Sequence, residues 1–226
     1  MRHSTELSEH VGSVISAMVG QDDYPCLGAK SVFRRDAVTV RAYDTLGTAP
    51  TASLLLSDLT AFATDGIPAR GFASFLAAFR TPVITQEAQF ERLLWRQLDL
   101  LAAADPVPWN HEVSADPADP HFAFSVAGTA FFVVGMHPAA SRLARRTDFP
   151  VLVFNPHQQF EELRRAGRYD RMRDTIRRRD RAWQGSVNPM VTDHGVESEA
   201  RQYAGRCVPA QWRAPFPDPT RSTTRP

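Results

Sequence analysis

The sequence predicts a single α/β (or α+β) domain in which helices flank a small mixed sheet. Amphipathic helical stripes occur near the N-terminus and again over residues 85–103. Short runs rich in Val and Phe, at 38–43, 121–138 and 149–157, are typical of buried strands. The 226 residues are enough to bury one core of this kind.

The N-terminal part of the chain predicts helices around one strand. Five apolar side chains share one helical face that ends near Gly20: Leu7, Val11, Val14, Ile15 and Met18. The segment 21–30 is expected to be a loop, and Val38–Tyr43 a strand because it is rich in β-branched residues. Residues 53–63 and 72–79 are expected to be helices separated by a turn.

The middle of the chain contains the clearest helix and then a change of composition. Residues 85–103 carry one apolar stripe, with Gln86 and Glu87 at the positive end of the helix dipole. The proline-rich segment 105–120 cannot be a helix or a central strand. We expect it to be an ordered loop because Trp109 would be costly to leave in water.

The C-terminal half alternates strands and helices. Two buried strands on either side of Gly128 are expected to form a hairpin or meander, and residues 139–146 a short helix. A further strand precedes two helices that are interrupted at Gly167. A single domain is therefore expected to cover residues 1–210, followed by a Pro-rich, disordered tail at 211–226.

Two histidines each follow a buried strand, His137 after the first and His157 after the second. If the short helix between the strands is a crossover, the strands run parallel and both histidines lie at one edge of the sheet. There they could bind a metal, or supply one ligand and one acid–base group. The alternative is that each histidine caps a helix or satisfies a loop carbonyl.

Other polar residues near these histidines are candidates for binding. Ser141, Arg142, Arg145 and Arg146 lie on or just before the short helix, where arginines one turn apart suit carboxylates. The alternative is a solvated helix face. Cys26 could provide a thiolate, although a lone cysteine is commonly a small buried apolar residue.

Composition argues against several classes of partner. The formal net charge of +1 gives no reason to expect nucleic acid, and the arginine-rich segment 164–181 alternates in sign like a solvated helix. No signal peptide or membrane span is expected. Two distant cysteines favour a reducing cytoplasm. A homodimer is compatible with the sequence.

Long motifs make the chain resemble the YqcI/YcgG family over about residues 24–206. They include YPCLGAKS near the N-terminus, then GMHPAASRLARR, FNPHQQFEELR, GSVNPM and SEARQYAG. The resemblance implies a heme-dependent oxidoreductase, a monooxygenase that N-hydroxylates the guanidino group of arginine or an arginine-like amino acid in natural-product biosynthesis. It also implies heme b, dioxygen and a redox partner or other electron donor, with the heme pocket at the strand ends.

The resemblance also implies roles for individual residues. His137 is the expected axial iron ligand, with Cys26 and His157 as alternatives, and the three arginines with Ser141 would meet the heme propionates. His157 would handle protons, and a guanidinium substrate would be held by Glu199 with Glu197 or Asp180. Two other readings are a heme sensor or carrier without oxygenase activity, and a domain without a cofactor.

Overall fold

The computed structural model describes residues 2–190 and 196–216. In that part of the chain seven α-helices surround one five-stranded sheet, which confirms a mixed α/β fold. The helices are α1 (Arg2–Gly20), α2 (Leu27–Arg34), α3 (Ala49–Ala61), α4 (Glu87–Ala104), α5 (Gln158–Arg165), α6 (Tyr169–Gln184) and α7 (Ala200–Tyr203). The strands are β1 (Val38–Thr45), β2 (Ser74–Thr81), β3 (Phe124–Val126), β4 (Thr129–Met136) and β5 (Val151–Pro156).

The sheet has the strand order β1-β2-β5-β4-β3. β1 and β2 are parallel, whereas β5 runs antiparallel to both of its neighbours, β2 and β4. β3 and β4 form the hairpin expected around Gly128, whose φ is +71° beside Ala127 at +52°. A tight turn of this kind needs positive φ at both central residues, which glycine adopts without strain.

Each face of the sheet packs against its own set of helices. One face buries Phe75, Phe131 and Phe154 against α3 and α4. The opposite face buries Leu76, Met136 and Val151 against α1, the first helix predicted from the sequence. The alternation follows from the period of two along a strand, so β2 and β5 are covered on both faces. No helix in the described ranges is long and apolar enough to cross a membrane.

Two predictions of secondary structure are wrong. Residues 72–79, expected to be a helix, form most of β2, where six consecutive residues from Ser74 to Phe79 are buried. A strand covered on both faces is apolar without alternation, so its pattern resembles that of a buried helix. The segment 21–30, expected to be a loop, contains the start of α2 at Leu27.

The predicted parallel arrangement of the strands before His137 and His157 is also wrong. The connection between β4 and β5 contains only one three-residue 3₁₀ turn, Leu143–Arg145, in place of a crossover helix. β4 and β5 are antiparallel neighbours, so their carboxyl ends lie at opposite edges of the sheet. The two histidines therefore lie at opposite edges as well.

The start of the expected C-terminal tail belongs to the core. Phe216 is buried, and its ring lies 5.7 Å from Trp95 and 6.2 Å from Phe124. Trp212 is half-buried beside Trp95. Disorder from residue 211 onward is therefore incorrect for 211–216, while residues 217–226 lie outside the described ranges. The loop 105–120 is ordered as expected, with Trp109 packed on Phe124.

Candidate functional site

A cavity of about 310 Å³ lies on the sheet face that also packs against α1. Its floor is formed by side chains of β2, β4 and β5, including Leu76, Val134 and Val153. Apolar side chains of α1 and α6 form two of its walls, among them Ile15 and Ile176. A volume of this size is within the range of about 300–1,000 Å³ that ligand pockets occupy. We call this space the inner cavity.

The position of the inner cavity differs from the sequence expectation. It lies over the face of the sheet, not outside the strand ends, because α1, α2, α5 and α6 stand over the sheet like walls. The last long helix, α6, faces this space through Tyr169, Met172 and Ile176.

Cys26 supplies a thiol to the wall of the inner cavity. It is the N-cap of α2, and its Sγ accepts a hydrogen bond of 3.4 Å from the backbone N–H of Ala29. Burial raises the pKa of this thiol, while the N–H groups of Gly28 and Ala29 and the charge of Arg145 act in the opposite direction. Amide donors and a nearby cation are the surroundings that stabilise a thiolate.

Arg145 brings a buried positive charge to the same cavity. Its guanidinium donates hydrogen bonds to the carbonyl oxygens of Gly135 at 3.0 Å and Gln202 at 3.4 Å. Burial lowers the pKa of Arg145. Because neutral carbonyls hold the guanidinium in place, its charge remains available to an anionic group in the cavity.

Arg142 also lines the inner cavity, but its charge is matched by a carboxylate. Its Nη2 lies 2.6 Å from Asp180 Oδ1, and both side chains are only about one-tenth exposed at 11% and 12%. Asp180 also accepts a hydrogen bond of 2.7 Å from the backbone N–H of Asn188. Through these two contacts Asp180 joins α6 to the connection between β4 and β5, which carries Arg142, and to the segment after α6, which carries Asn188.

His157 begins a polar chain at one end of the cavity. Its Nε2 lies 3.5 Å from Glu199 Oε2, and its Nδ1 lies 3.9 Å from Glu161 Oε1. Glu161 also pairs with Arg164, whose guanidinium stacks over Tyr169 at 4.6 Å. Glu161 is 40% exposed whereas Glu199 is 13% exposed, so the imidazole bridges an outer and an inner carboxylate.

Glu199 is a second enclosed carboxylate that lines the inner cavity, and it is held from behind. The hydroxyl of Tyr203 donates a hydrogen bond of 2.6 Å to Glu199 Oε1 and accepts one of 3.1 Å from the backbone N–H of Phe124. Burial raises the pKa of Glu199, while His157 and Tyr203 act against that rise. A carboxylate placed in this way can accept a proton or hold a cation.

His137, the expected iron ligand, does not line the inner cavity. Its side chain is 1% exposed, and its ring lies 4.3 Å from that of Phe90 on α4. The argument that placed it beside His157 depended on parallel strands, which the fold does not have. The geometry therefore gives no support to His137 as a ligand, and the two alternatives, Cys26 and His157, are the ones that reach the cavity.

Of the remaining predicted binding residues, two lie outside the inner cavity and one lines it. Ser141 lies outside the inner cavity, where its N–H and hydroxyl both donate to Glu87 Oε1, at 2.9 Å and 2.7 Å. Arg146 lies outside it too and holds the carbonyl of Ala140. Glu197 lines the cavity and lies 3.4 Å from Arg201.

Tyr203 is a site residue that the sequence reasoning missed. Its signal in the sequence is its spacing: Glu199 and Tyr203 are four residues apart, the distance that places two side chains together on a helix. In the described ranges, no group of three or more His, Cys, Asp or Glu is arranged to hold a bare metal ion. An axial ligand of heme iron requires only one such side chain.

Comparison with known proteins identifies similar chains. The model of the YqcI/YcgG family matches residues 15–217. The protein named as uncharacterized YqcI, from Bacillus subtilis strain 168, is 27% identical over 193 residues, which are 81% of this chain and 76% of that one. Its counterpart YcgG from the same strain is 26% identical over 191 residues, 80% of this chain and 76% of the relative. No solved structure matches.

Proposed function

This chain belongs to the YqcI/YcgG family, and we propose that it is a heme-dependent monooxygenase that N-hydroxylates the guanidino group of arginine or of an arginine-like amino acid. The reaction and the cofactor are those that the resemblance of its motifs implies. One observation carries it: a single apolar cavity collects a thiol, an imidazole, an arginine and an enclosed carboxylate. These are an iron ligand, a proton carrier, an anion partner and a cation partner.

The residues of the inner cavity fit heme b by their chemistry. Leu76, Val134 and Val153 offer an apolar floor for a macrocycle. Arg145 offers a propionate partner, since its own hydrogen bonds go to carbonyl oxygens. Bound heme supplies the activation of dioxygen, and a thiolate ligand favours cleavage of the O–O bond.

We assign the iron ligand to Cys26. His157 is already placed between two carboxylates, at 3.5 Å and 3.9 Å, which suits proton transfer better than ligation. Cys26 has amide donors and the charge of Arg145 around it, and coordination deprotonates a thiol whatever its pKa in the free protein.

The chain's own residues would bind the substrate and move protons. Glu199 would hold the guanidinium through its Oε2, because its other oxygen is already fixed by Tyr203 at 2.6 Å. His157 would carry protons inward from Glu161. In the balanced reaction one atom of dioxygen enters a guanidine N–H bond and the other leaves as water. The external reductant supplies two electrons, and solvent supplies two protons.

The cofactor assignment is tested by absorption spectroscopy of the purified protein, as isolated and after reconstitution with hemin. We expect a Soret band, and in the reduced carbon monoxide complex a position typical of thiolate ligation. Cys26→Ala should abolish or shift that band. Cys207→Ala is the matched control, since this second cysteine is exposed like Cys26 but does not line the inner cavity. No Soret band in the reconstituted wild type would overturn the proposal.

The activity is tested by incubating loaded protein with arginine, dioxygen and a reductant, and by measuring hydroxyarginine. Glu199→Gln should raise the KM for arginine and lower turnover, because it removes the charge that holds the guanidinium. The hemin spectrum should be unchanged in this variant, since Glu199 is not the assigned ligand. Heme binding without turnover of arginine or related guanidines would instead favour a heme sensor or carrier.

A further inference from the structure

Tyr203 lies directly behind the wall of the inner cavity. Its ring is fully buried and meets Phe132 edge to face, with centroids 5.8 Å apart. Its hydroxyl donates to Glu199 at 2.6 Å. Phe132 and Glu199 both line the cavity, so the phenol is one side chain away from anything bound there.

Two tryptophans continue from Tyr203 toward the surface. Trp95 stacks on Tyr203 with centroids 5.6 Å apart and an angle of 18° between the planes. Trp212 lies 6.2 Å from Trp95. Trp212 is half-buried and lines a second cavity of about 390 Å³, which we call the outer cavity and whose wall also includes Asp116 and Arg213. The three rings therefore join the inner cavity to the outer one.

We propose that Tyr203, Trp95 and Trp212 form an electron-transfer path between the inner and outer cavities. A strong one-electron oxidant, formed from dioxygen or hydrogen peroxide in the inner cavity, takes one electron from Tyr203. The phenolic proton moves along the hydrogen bond to Glu199, which leaves a neutral tyrosyl radical. One electron from Trp95 and the returning proton restore the phenol. Trp212 then reduces Trp95, and a reductant in solvent reduces Trp212.

The surroundings of the rings set where the electron vacancy comes to rest. The indole Nε1 of Trp95 is buried and has no hydrogen-bond partner in the described part of the chain, so an oxidised Trp95 has no base to take its proton. Tyr203 does have one, the carboxylate of Glu199. Trp95 therefore holds the vacancy only in passing, and Tyr203 is the residue on which it rests until the reductant in solvent fills it through Trp212 and Trp95.

A second tyrosine–tryptophan pair provides a comparison within the same protein. Tyr24 also lines the inner cavity and lies 5.9 Å from Trp183. Its hydroxyl donates to the carbonyl oxygen of Ala144 at 3.2 Å, and a carbonyl is a much weaker proton acceptor than a carboxylate. The path should therefore run through Tyr203 and not through Tyr24.

The test uses the full chain without cofactor, in which pulse radiolysis generates azide radicals that oxidise tryptophan. In the wild type we expect the indolyl-radical absorbance to decay as the tyrosyl-radical absorbance rises, at a rate independent of protein concentration. Tyr203→Phe should remove this tyrosyl component, and Glu199→Gln should slow its formation. Tyr24→Phe is the matched control and should retain the full tyrosyl yield. Circular dichroism verifies that each variant is folded.

Trp212→Phe tests the outer end of the path at a half-buried position, and it should lower the yield of fast transfer. The proposal is overturned if the wild type forms no tyrosyl radical, or if the full tyrosyl yield persists in Tyr203→Phe. An unchanged yield in Trp212→Phe removes that residue from the path. The oxidant rests on the proposed function, but this experiment contains no heme. A failed path and a failed oxygenase are therefore told apart.

Discussion

His137 has an imidazole that lies almost wholly inside the protein. It is 1% exposed, and its Nδ1 has no hydrogen-bond partner among the described residues. Burial lowers the pKa of His137 from 6.5 to about 4; the charge of Glu87 acts in the opposite direction, and that of Arg145 adds to the lowering. The imidazole is therefore neutral in the folded protein, which suits a packed core residue.

This pKa predicts a loss of stability in acid. Between pH 6.5 and about 4 the unfolded chain binds a proton at His137 that the folded protein refuses, so the free energy of unfolding falls as the pH drops through that window. At about pH 5 the contribution is roughly 2 kcal/mol relative to neutral pH. His137→Leu should remove this part of the pH dependence in urea denaturation. Val83→Ala, at an apolar side chain that is 74% exposed, is the control and should keep the pH dependence of the wild type.

Sequence reasoning identifies several of the cavity's polar side chains but misjudges which of them meet. Among the predicted residues that line the inner cavity are Cys26, Arg142, Arg145, His157 and Glu199. The resemblance implies His137 as the ligand, and its expected position beside His157 depends on strand direction, which is set by long-range pairing that local sequence does not encode. Tyr203 was passed over because a tyrosine in a short helix resembles an ordinary core residue.

At the scale of elements, the backbone of β4 at Gly135 lies so close to α4 and α7 that no side chain would fit at this position. A Cβ on Gly135 would lie 2.8 Å from the carbonyl oxygen of Tyr203 and 2.9 Å from Leu94 Cδ1, and nearer still to the ring of Phe90. A backbone atom on one side and packed rings on the other leave no direction in which the neighbours can yield.

Gly135→Ala should therefore destabilise the protein by about 1–3 kcal/mol, because overpacking forces the strand away from the helices. Thermal unfolding measures the effect. Gly20→Ala is the comparison: a Cβ there meets nothing within 4 Å, and alanine favours the helix more than glycine does. Equal melting temperatures for Gly135→Ala and the wild type would contradict the close approach.

The elements that can be identified from sequence alone are those whose hydrophobic pattern shows which of their faces is buried. α4 carries a one-sided stripe, with Phe90, Leu94 and Leu98 fully buried, and its period of about 3.6 is legible from the sequence. β2 is covered on both faces, so its apolar residues show no period, and its sequence alone therefore suggests a buried helix. Its identity depends on pairing with β5, which lies about seventy residues later in the chain.

At the scale of the whole molecule, the chain closes its core with residues beyond the domain boundary that composition suggested. Phe216 is 6% exposed and packs on Trp95, Trp109 and Phe122, so the segment 211–216 covers the aromatic core. Proline content suggested otherwise because it reports chain stiffness and not the anchoring of single aromatic rings.

Phe216→Ala should lower the free energy of unfolding by about 3 kcal/mol, since it leaves a void among aromatic rings. Ending the chain after residue 210 should cost more, because Trp212 is lost as well. Urea denaturation of each variant gives the values. Val83→Ala changes an apolar side chain that is 74% exposed, and its stability should match that of the wild type. A Phe216→Ala protein as stable as this control would show that the segment does not seal the core.

The strand order has a consequence for how the protein is made. β5 is the last strand to leave the ribosome, yet it lies in the middle of the sheet between β2 and β4. Until it emerges, the parallel pair and the hairpin are separate halves, each with an unpaired edge that could recruit another nascent chain. Any slowing of translation before β5 has emerged would prolong that exposure, so the order of synthesis itself sets the period of greatest risk of aggregation.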